Sequence, residues 1–154
     1  MSRLSQVREL VHARLNTMPD LSRRDSAVIH LSGVSLAAVM IARKRGMDPE
    51  LPAAAAMLHD MAAYLSGSYD DHAHRGAELA KGFLQELGCF DAEETEIICS
   101  MIWHHDDKDV IDSPYDEVLK DADVIHHCFY DPSKPVKAKE LKRCEELSRE
   151  FDLK

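Results

Sequence analysis

The sequence predicts an all-α fold, and three observations support this. Apolar residues recur at helical spacing along almost the whole chain, and no segment alternates long enough to indicate a strand. The six glycines and six prolines among 154 residues mostly fall between the periodic segments. Because the connections are short, residues 1–154 are expected to form one compact bundle of about six to seven helices.

Each predicted helix lies between residues that start or stop helices. Gly46, Gly67 and Gly88 each follow an apolar periodic segment, as glycines do at helix ends. Ser113-Pro114 is typical of a helix start, and the prolines between 132 and 135 separate the last helix from the one before it. The expected helices cover residues 3–17, 22–45, 50–65, 72–88, 91–105, 113–130 and 135–150.

The composition indicates a cytoplasmic protein that does not bind membranes. No stretch approaches the roughly 18 uninterrupted apolar residues of a membrane span, and Met1–Leu10 lacks the apolar region of a signal peptide. The cysteines form no Cys-x-x-Cys pair, so they are expected to be reduced core residues. They are Cys89, Cys99, Cys128 and Cys144.

The formal net charge of −9 disfavours the binding of long nucleic acid. Residues 132–154 differ from the rest of the chain, with seven basic and five acidic side chains. This small positive excess is more typical of a solvated helix face than of a binding arm. Nothing in the sequence indicates an oligomeric state.

Histidines and aspartates occur within apolar helices, where a core would not favour them. His30 shares its helix face with Val34 and Ile41, and by itself it is explained by a buried imidazole with one hydrogen bond. The His59-Asp60 pair lies in one of the most apolar segments of the chain. A buried carboxylate needs compensation, either by a metal or by a buried basic residue, and this helix carries no basic residue nearby.

Two further segments repeat this pattern. An apolar helix ends in His104-His105, and another carries Asp121 and Asp123 before His126-His127. Each alone is compatible with a polar helix end in solvent. Together they supply imidazoles and carboxylates from four helices, which indicates a divalent metal site in a helical bundle.

The order of these residues resembles a known family. His30, the doublet His59-Asp60 and the late Asp123 resemble the HD-domain superfamily of metal-dependent phosphohydrolases over residues 22–130. The resemblance implies an HD-domain-like helical bundle, and we expect the helix at 135–150 to pack on it. Val136, Leu141, Cys144 and Leu147 are spaced for that packing.

Two local matches resemble the family members that bind two metals. They are His72-Ala-His-Arg-Gly-Ala and Met101-Ile-Trp-His-His. The resemblance implies that His30, His59, Asp60 and Asp123 hold one ion, while Asp60 bridges to a second ion held by His72 and His104. His105 is a further candidate ligand, and His74 and His126 are expected outside the centre. The expected ions are two divalent transition metals, Mn, Fe, Ni or Co, with Mg or Zn as alternatives.

The sequence also departs from the family pattern. Ala63 occupies the position, three residues after the doublet, where many members have a lysine that meets phosphate. The segment between His59 and His72 is short, and no Gly-Tyr-Pro follows His105 as it does in cyclic-dinucleotide phosphodiesterases. These departures leave the substrate open and do not affect the proposed metal ligands.

Such a centre predicts hydrolysis of a phosphomonoester or phosphoanhydride in a small metabolite or nucleotide, through a metal-activated water. Asp60 would act through the ions, and Asp121 would act as a base or orient a metal ligand. The basic residues nearest in sequence to the ligands are the candidates for substrate binding, although solvated side chains are the simpler interpretation. They are Arg75, Lys108 and Lys120.

Two alternatives use the same residues. Some HD-like proteins hold two irons and activate oxygen on a small substrate, and imidazole with carboxylate suits iron as well as manganese. The second alternative is a non-catalytic module that binds a nucleotide and contacts a partner through the helix at 135–150.

Overall fold

The computed structural model describes residues Met1–Lys154 and contains eight α-helices, one short 3₁₀ helix and no strand. The all-α prediction is confirmed, and the helix count is seven if α3 and α4 are taken as one interrupted helix. The helices are α1 (Arg3–Leu15), α2 (Leu21–Lys44), α3 (Glu50–Leu58), α4 (Met61–Ser66), α5 (His72–Leu87), α6 (Ala92–His104), α7 (Pro114–Phe129) and α8 (Leu141–Glu150), with the 3₁₀ helix at Ala138–Glu140 before α8.

Helix α2 is the central helix and packs against α3 and α7. Leu31, Val34 and Ile41 of α2 are fully buried in a core shared by the other helices. By length and composition alone α2 is apolar enough to cross a membrane, a test that buried core helices of soluble proteins also pass. Because half of its most apolar window is buried within the domain, core packing accounts for that composition.

The predicted helix over residues 50–65 is interrupted at His59 and Asp60. Asp60 has φ −105° and ψ 8°, which takes its backbone out of the helical region and ends the run of residues in α3. Helix α4 then continues for six residues and ends at Gly67, whose φ of 74° is left-handed. The interruption turns both side chains of the doublet toward the same side of the bundle.

Two glycines allow helices to approach closely beside the doublet. A Cβ at Gly76 of α5 would lie 2.7 Å from the carbonyl oxygen of His59. A Cβ at Gly33 of α2 would clash with the imidazole of His126 on α7. Both glycines therefore bring histidine-bearing helices into contact where any side chain would separate them.

The C-terminal segment is less helical than predicted over 135–150. Residues 131–137 are irregular, and the 3₁₀ helix leads into α8. Prolines at 132 and 135 explain the late helix start. Helix α8 packs on α7 through buried Cys144 and Leu147, while Leu141 is half exposed. All four cysteines are free.

Candidate metal centre

Seven side chains from α2, the α3–α4 junction, α5, the end of α6 and α7 converge at one point of the bundle. Their ring nitrogens and carboxylate oxygens form three overlapping groups of the size that holds a metal ion. Six of the seven line a cavity of about 670 Å³, and the seventh, His59, is fully buried beneath it. The seven are His30, His59, Asp60, His72, His105, Asp123 and His127.

The side chains predicted to hold the first ion form a group of two imidazoles and two carboxylates. His30 Nε2 lies 3.2 Å from His59 Nε2, 3.4 Å from Asp60 Oδ2 and 3.3 Å from Asp123 Oδ1. His59 Nε2 lies 3.5 Å from Asp60 Oδ2 and 3.6 Å from Asp123 Oδ1. The four predicted ligands of the first ion are therefore close enough to share one ion.

The second group lies on the other oxygen of Asp60. Asp60 Oδ1 lies 3.3 Å from His105 Nε2 and 3.5 Å from His72 Nε2, and the two Nε2 atoms are 3.2 Å apart. Asp60 therefore presents one oxygen to each group. This is the arrangement of a carboxylate that bridges two ions.

Backbone carbonyls fix the orientation of three imidazoles. The Nδ1 atoms of His59, His72 and His105 donate to the carbonyls of neighbouring residues at 2.7, 2.9 and 2.6 Å. A carbonyl oxygen only accepts, so each Nδ1 carries the proton. In the neutral imidazole Nε2 is then a lone pair aimed into the cluster, as in metal-binding histidines.

The buried atoms of the cluster fit a divalent transition metal. Asp60 Oδ1 and Asp123 Oδ1 are buried and accept no hydrogen bond. Each facing pair of Nε2 atoms needs a proton or a cation between its lone pairs. Imidazole nitrogens with carboxylate oxygens and no thiolate suit Mn, Fe, Co, Ni or Zn.

Comparison with known proteins decides the family. The model of the HD domain matches residues 27–127, which is most of the chain. The chain belongs to the HD-domain family. It is also similar to a solved structure described as a predicted HD superfamily hydrolase from an uncultured Thermotogales bacterium. That similarity has 25% sequence identity and a TM-score of 0.62, and it covers 97% of this chain and 86% of the other. No curated protein matches the chain.

The HD-domain family and the buried cluster together support a metal-dependent hydrolase. The pKa shifts of its histidines and aspartates agree with a cation-binding site. Burial lowers the pKa of His30, but the neighbouring carboxylates of Asp123 and Asp60 outweigh it and raise the pKa to about 9. Burial raises the pKa of Asp60, but His59 and the other imidazoles hold it well below its usual range. Burial also raises the pKa of Asp123, but Lys108 and the imidazoles hold it well below its usual range, so both aspartates are ionised and available to a cation.

His104 does not reach the cluster of seven side chains. Its Nδ1 lies 2.9 Å from the carbonyl oxygen of Ser100 and 3.8 Å from Asp116 Oδ2, and the side chain is partly exposed. Helix α6 ends at His104, and the next imidazole, His105, is the one that turns inward. This geometry corrects the prediction that His104 serves the second ion, because adjacent helical residues point about 100° apart.

Asp121 also lies outside the site. It accepts hydrogen bonds from Arg45 at 2.7 Å and from Arg143 at 3.0 Å. Both oxygens are thereby occupied in an ion-pair network that joins α2, α7 and α8. The prediction that Asp121 acts as a base or orients a ligand is therefore corrected to a role in helix packing.

The three basic residues predicted for substrate binding are used elsewhere. Lys108 is buried and donates to Asp123 Oδ2 at 2.8 Å, so it positions a ligand instead of facing the cavity. Lys120 is fully buried against Asp112, at 2.6 Å. Arg75 donates to backbone carbonyls between α4 and α5. The sequence placed all three near the ligands but did not show these partners.

Lysines of the C-terminal segment line the cavity instead. Lys134, Lys137 and Lys139 lie on its wall, and Lys139 also pairs with Asp106 at 2.9 Å. The positive excess of residues 132–154 is the sequence signal for this wall, although such an excess is more typical of a solvated helix face. The irregular backbone before α8 brings these lysines over the centre.

Three further histidines differ in their relation to the centre. His74 is partly exposed and stacks on Trp103 with ring centroids 3.9 Å apart. His126 contacts His30 through Nδ1 at 3.0 Å, and burial lowers its pKa to about 4. His127 faces Asp123 Oδ1 at 3.5 Å, a contact that the sequence did not predict.

Proposed function

We propose that this HD-domain protein is a metal-dependent phosphohydrolase acting on a phosphomonoester or phosphoanhydride in a small metabolite such as a nucleotide. One observation carries the proposal: two buried carboxylate oxygens, Asp60 Oδ1 and Asp123 Oδ1, accept no hydrogen bond and face imidazole nitrogens beside an open cavity. A core without a ligand would leave these groups at a considerable cost in free energy.

Two ions are expected, with Asp60 shared between them. The first would be held by His30, His59 and Asp123, and the second by His72 and His105. Divalent ions bound there lower the pKa of water toward neutrality and stabilise negative charge on phosphoryl oxygens, so phosphoryl hydrolysis is the reaction that the donor set favours.

The cavity supports a small anionic substrate. Lys134 and Lys137 lie on its wall and supply positive charge for phosphate oxygens beyond the centre. Tyr64 also lines the cavity, and burial raises the pKa of its phenol, so the hydroxyl stays protonated and able to donate to a substrate oxygen. The cavity volume of about 670 Å³ suits a nucleotide, and the acidic net charge disfavours a long nucleic acid.

A phosphate-release assay on a broad panel of phosphate esters tests the proposal. The metal-free protein is assayed alone and with Mn, Fe, Ni, Co or Mg added in turn. We expect release that depends on added metal, stops with a chelator and is retained by the control His74→Ala, a histidine outside the cavity. Oxygen consumption by the iron-loaded protein without phosphate release would favour the oxygenase, and binding of nucleotides without turnover would favour the non-catalytic module.

A further inference from the structure

His127 connects the metal centre to the C-terminal segment. It lies on the last turn of α7, and its Nδ1 lies 2.8 Å from Oε1 of Glu140, at the end of the 3₁₀ helix. Glu140 is only 1% exposed. This contact joins a residue at the edge of the HD-domain match to one that lies 13 positions beyond it.

Glu140 has no lysine or arginine partner. Its second oxygen, Oε2, is buried and accepts no hydrogen bond, and the neighbouring Lys139 pairs with Asp106. The imidazole of His127 is therefore the one side chain that compensates this buried carboxylate. A carboxylate in such surroundings is costly unless its partner is held in place and carries the hydrogen.

The hydrogen bond to Glu140 determines which nitrogen of His127 carries the proton. An ionised carboxylate only accepts, so Nδ1 carries the proton and Nε2 of the neutral ring is a lone pair. Nε2 lies 3.5 Å from Asp123 Oδ1, the buried oxygen without a donor. The ring also stacks parallel to His30, with centroids 5.3 Å apart and planes 12° apart.

These observations match a ligand and the carboxylate behind it. The ligand atoms of His30, Asp123 and His127 all lie within 4.8 Å of one another, so one ion is able to contact all three. Carboxylates that accept from the distal nitrogen of a metal-binding histidine fix its tautomer and increase its basicity.

We propose that His127 is a further ligand of the first ion and that Glu140 is the residue that positions it. The inference rests on the metal centre of the proposed function and adds a requirement to it. The C-terminal segment, outside the residues matched by the family model, completes the centre.

Titration of the metal-free protein with Co²⁺ alone tests this without any substrate. The visible absorption bands of bound Co²⁺ report the ligands, and competition with a chelating indicator reports affinity. We expect His127→Ala to alter the bands and to weaken binding of the first equivalent. Glu140→Gln is expected to keep the bands but to weaken binding by about 10- to 100-fold, since the amide is a poorer acceptor for Nδ1–H.

Matched controls separate this effect from general loss of a histidine or a charge. His74→Ala removes a partly exposed imidazole outside the cluster, and Glu145→Gln removes an exposed carboxylate from α8, so both variants should bind Co²⁺ like the wild type. Thermal melts of each metal-free variant report whether the fold is retained.

The outcomes distinguish this inference from the proposed function. Wild-type protein that binds no Co²⁺ would refute the metal centre itself. Wild-type protein that binds Co²⁺, together with a folded His127→Ala variant of unchanged bands and affinity, would refute the role of His127 alone.

Discussion

Two of the three buried aspartates of helix α7, Asp121 and Asp123, have opposite surroundings. Asp121 accepts from Arg45 and Arg143, and these guanidinium groups also pair with Glu150 and Glu117. Asp123 has one oxygen on Lys108, while the other faces imidazoles and accepts no hydrogen bond. Both residues are less than a tenth exposed, so burial alone does not distinguish them.

The difference lies in whether each buried charge is satisfied within the chain. The network around Asp121 is closed, because each of its oxygens has a donor from the protein. The cluster around Asp123 is open, because its free oxygen has no hydrogen-bond donor and the facing lone pairs need a proton or a metal ion between them. A buried acid therefore indicates a binding site only when its hydrogen-bonding capacity is left incomplete.

The largest expected effect comes from removing the charge of a carboxylate in the open cluster, with the same change in the closed network as its control. We expect Asp60→Asn to lose both ions and to reduce phosphate release by several orders of magnitude, because both groups share its carboxylate. Asp121→Asn makes the same chemical change in the closed network and should retain metal and activity. Elemental analysis and the phosphate-release assay measure both. Full metal content in Asp60→Asn would contradict the bridging assignment.

A second pair of substitutions divides the open cluster at the end of α6. His105→Ala should reduce bound metal from about two ions to about one and lower turnover, because His105 contacts Asp60 Oδ1. His104→Ala should leave both ions in place, because its ring is directed to Ser100 and Asp116. The metal-to-protein ratio after reconstitution decides between them. Loss of an ion from His104→Ala alone would restore the assignment made from the sequence.

The closed network is expected to affect stability instead of metal binding. Asp121→Asn removes the charge that two arginines share and should lower the free energy of unfolding by about 1.5 to 3 kcal/mol. Asp109→Asn, at an exposed position, should change it by less than about 0.5 kcal/mol. Denaturant unfolding of the metal-free proteins gives both values. Equal stability of the two variants would show that the network contributes little to helix packing.

The smallest expected effect is a pH dependence of metal uptake. Without metal, the pKa of His30 is about 9, so a proton occupies a predicted ligand at neutral pH. Metal affinity should therefore rise by roughly tenfold per pH unit between pH 6.5 and 8.5 as this proton is displaced. Indicator competition at several pH values measures it, and a flat profile would contradict a charged His30.

The same shift in pKa predicts the opposite trend for the metal-free fold. A pKa raised above the unfolded value stabilises the protein fully below about pH 6.5. This contribution is lost as the pH rises through about 9. Thermal melts of metal-free protein should show a decline over that window, and added metal should remove it.

Most of the fold was readable from the sequence because helical periodicity is a local signal. The interruption at His59 and Asp60 was not, since an alanine-rich segment favours a continuous helix and only the packing of α5 against the doublet reveals the break. The late start of α8 was missed for a different reason. Its position depends on prolines and on contacts with α7.

The site was predictable where polar residues interrupt apolar helices. His30, the doublet and Asp123 were recognisable in this way, and the structure brings them together with His72. The choice between His104 and His105 depends on where α6 ends, and an error of one residue reverses it. The contact with Glu140 depends on a chain reversal between α7 and α8, which no local pattern predicts.

Lys108 affects how firmly the centre would attract cations. Its ammonium group occupies Asp123 Oδ2, so Asp123 is able to coordinate through one oxygen only. Lys108 also offsets the charge of that carboxylate, and the remaining formal charge among the predicted ligands comes from Asp60. Two divalent ions bound there would keep most of their positive charge. The fold would thereby hold its ions mainly through neutral imidazoles. Most of the positive charge of the ions would remain available to attract an anionic substrate.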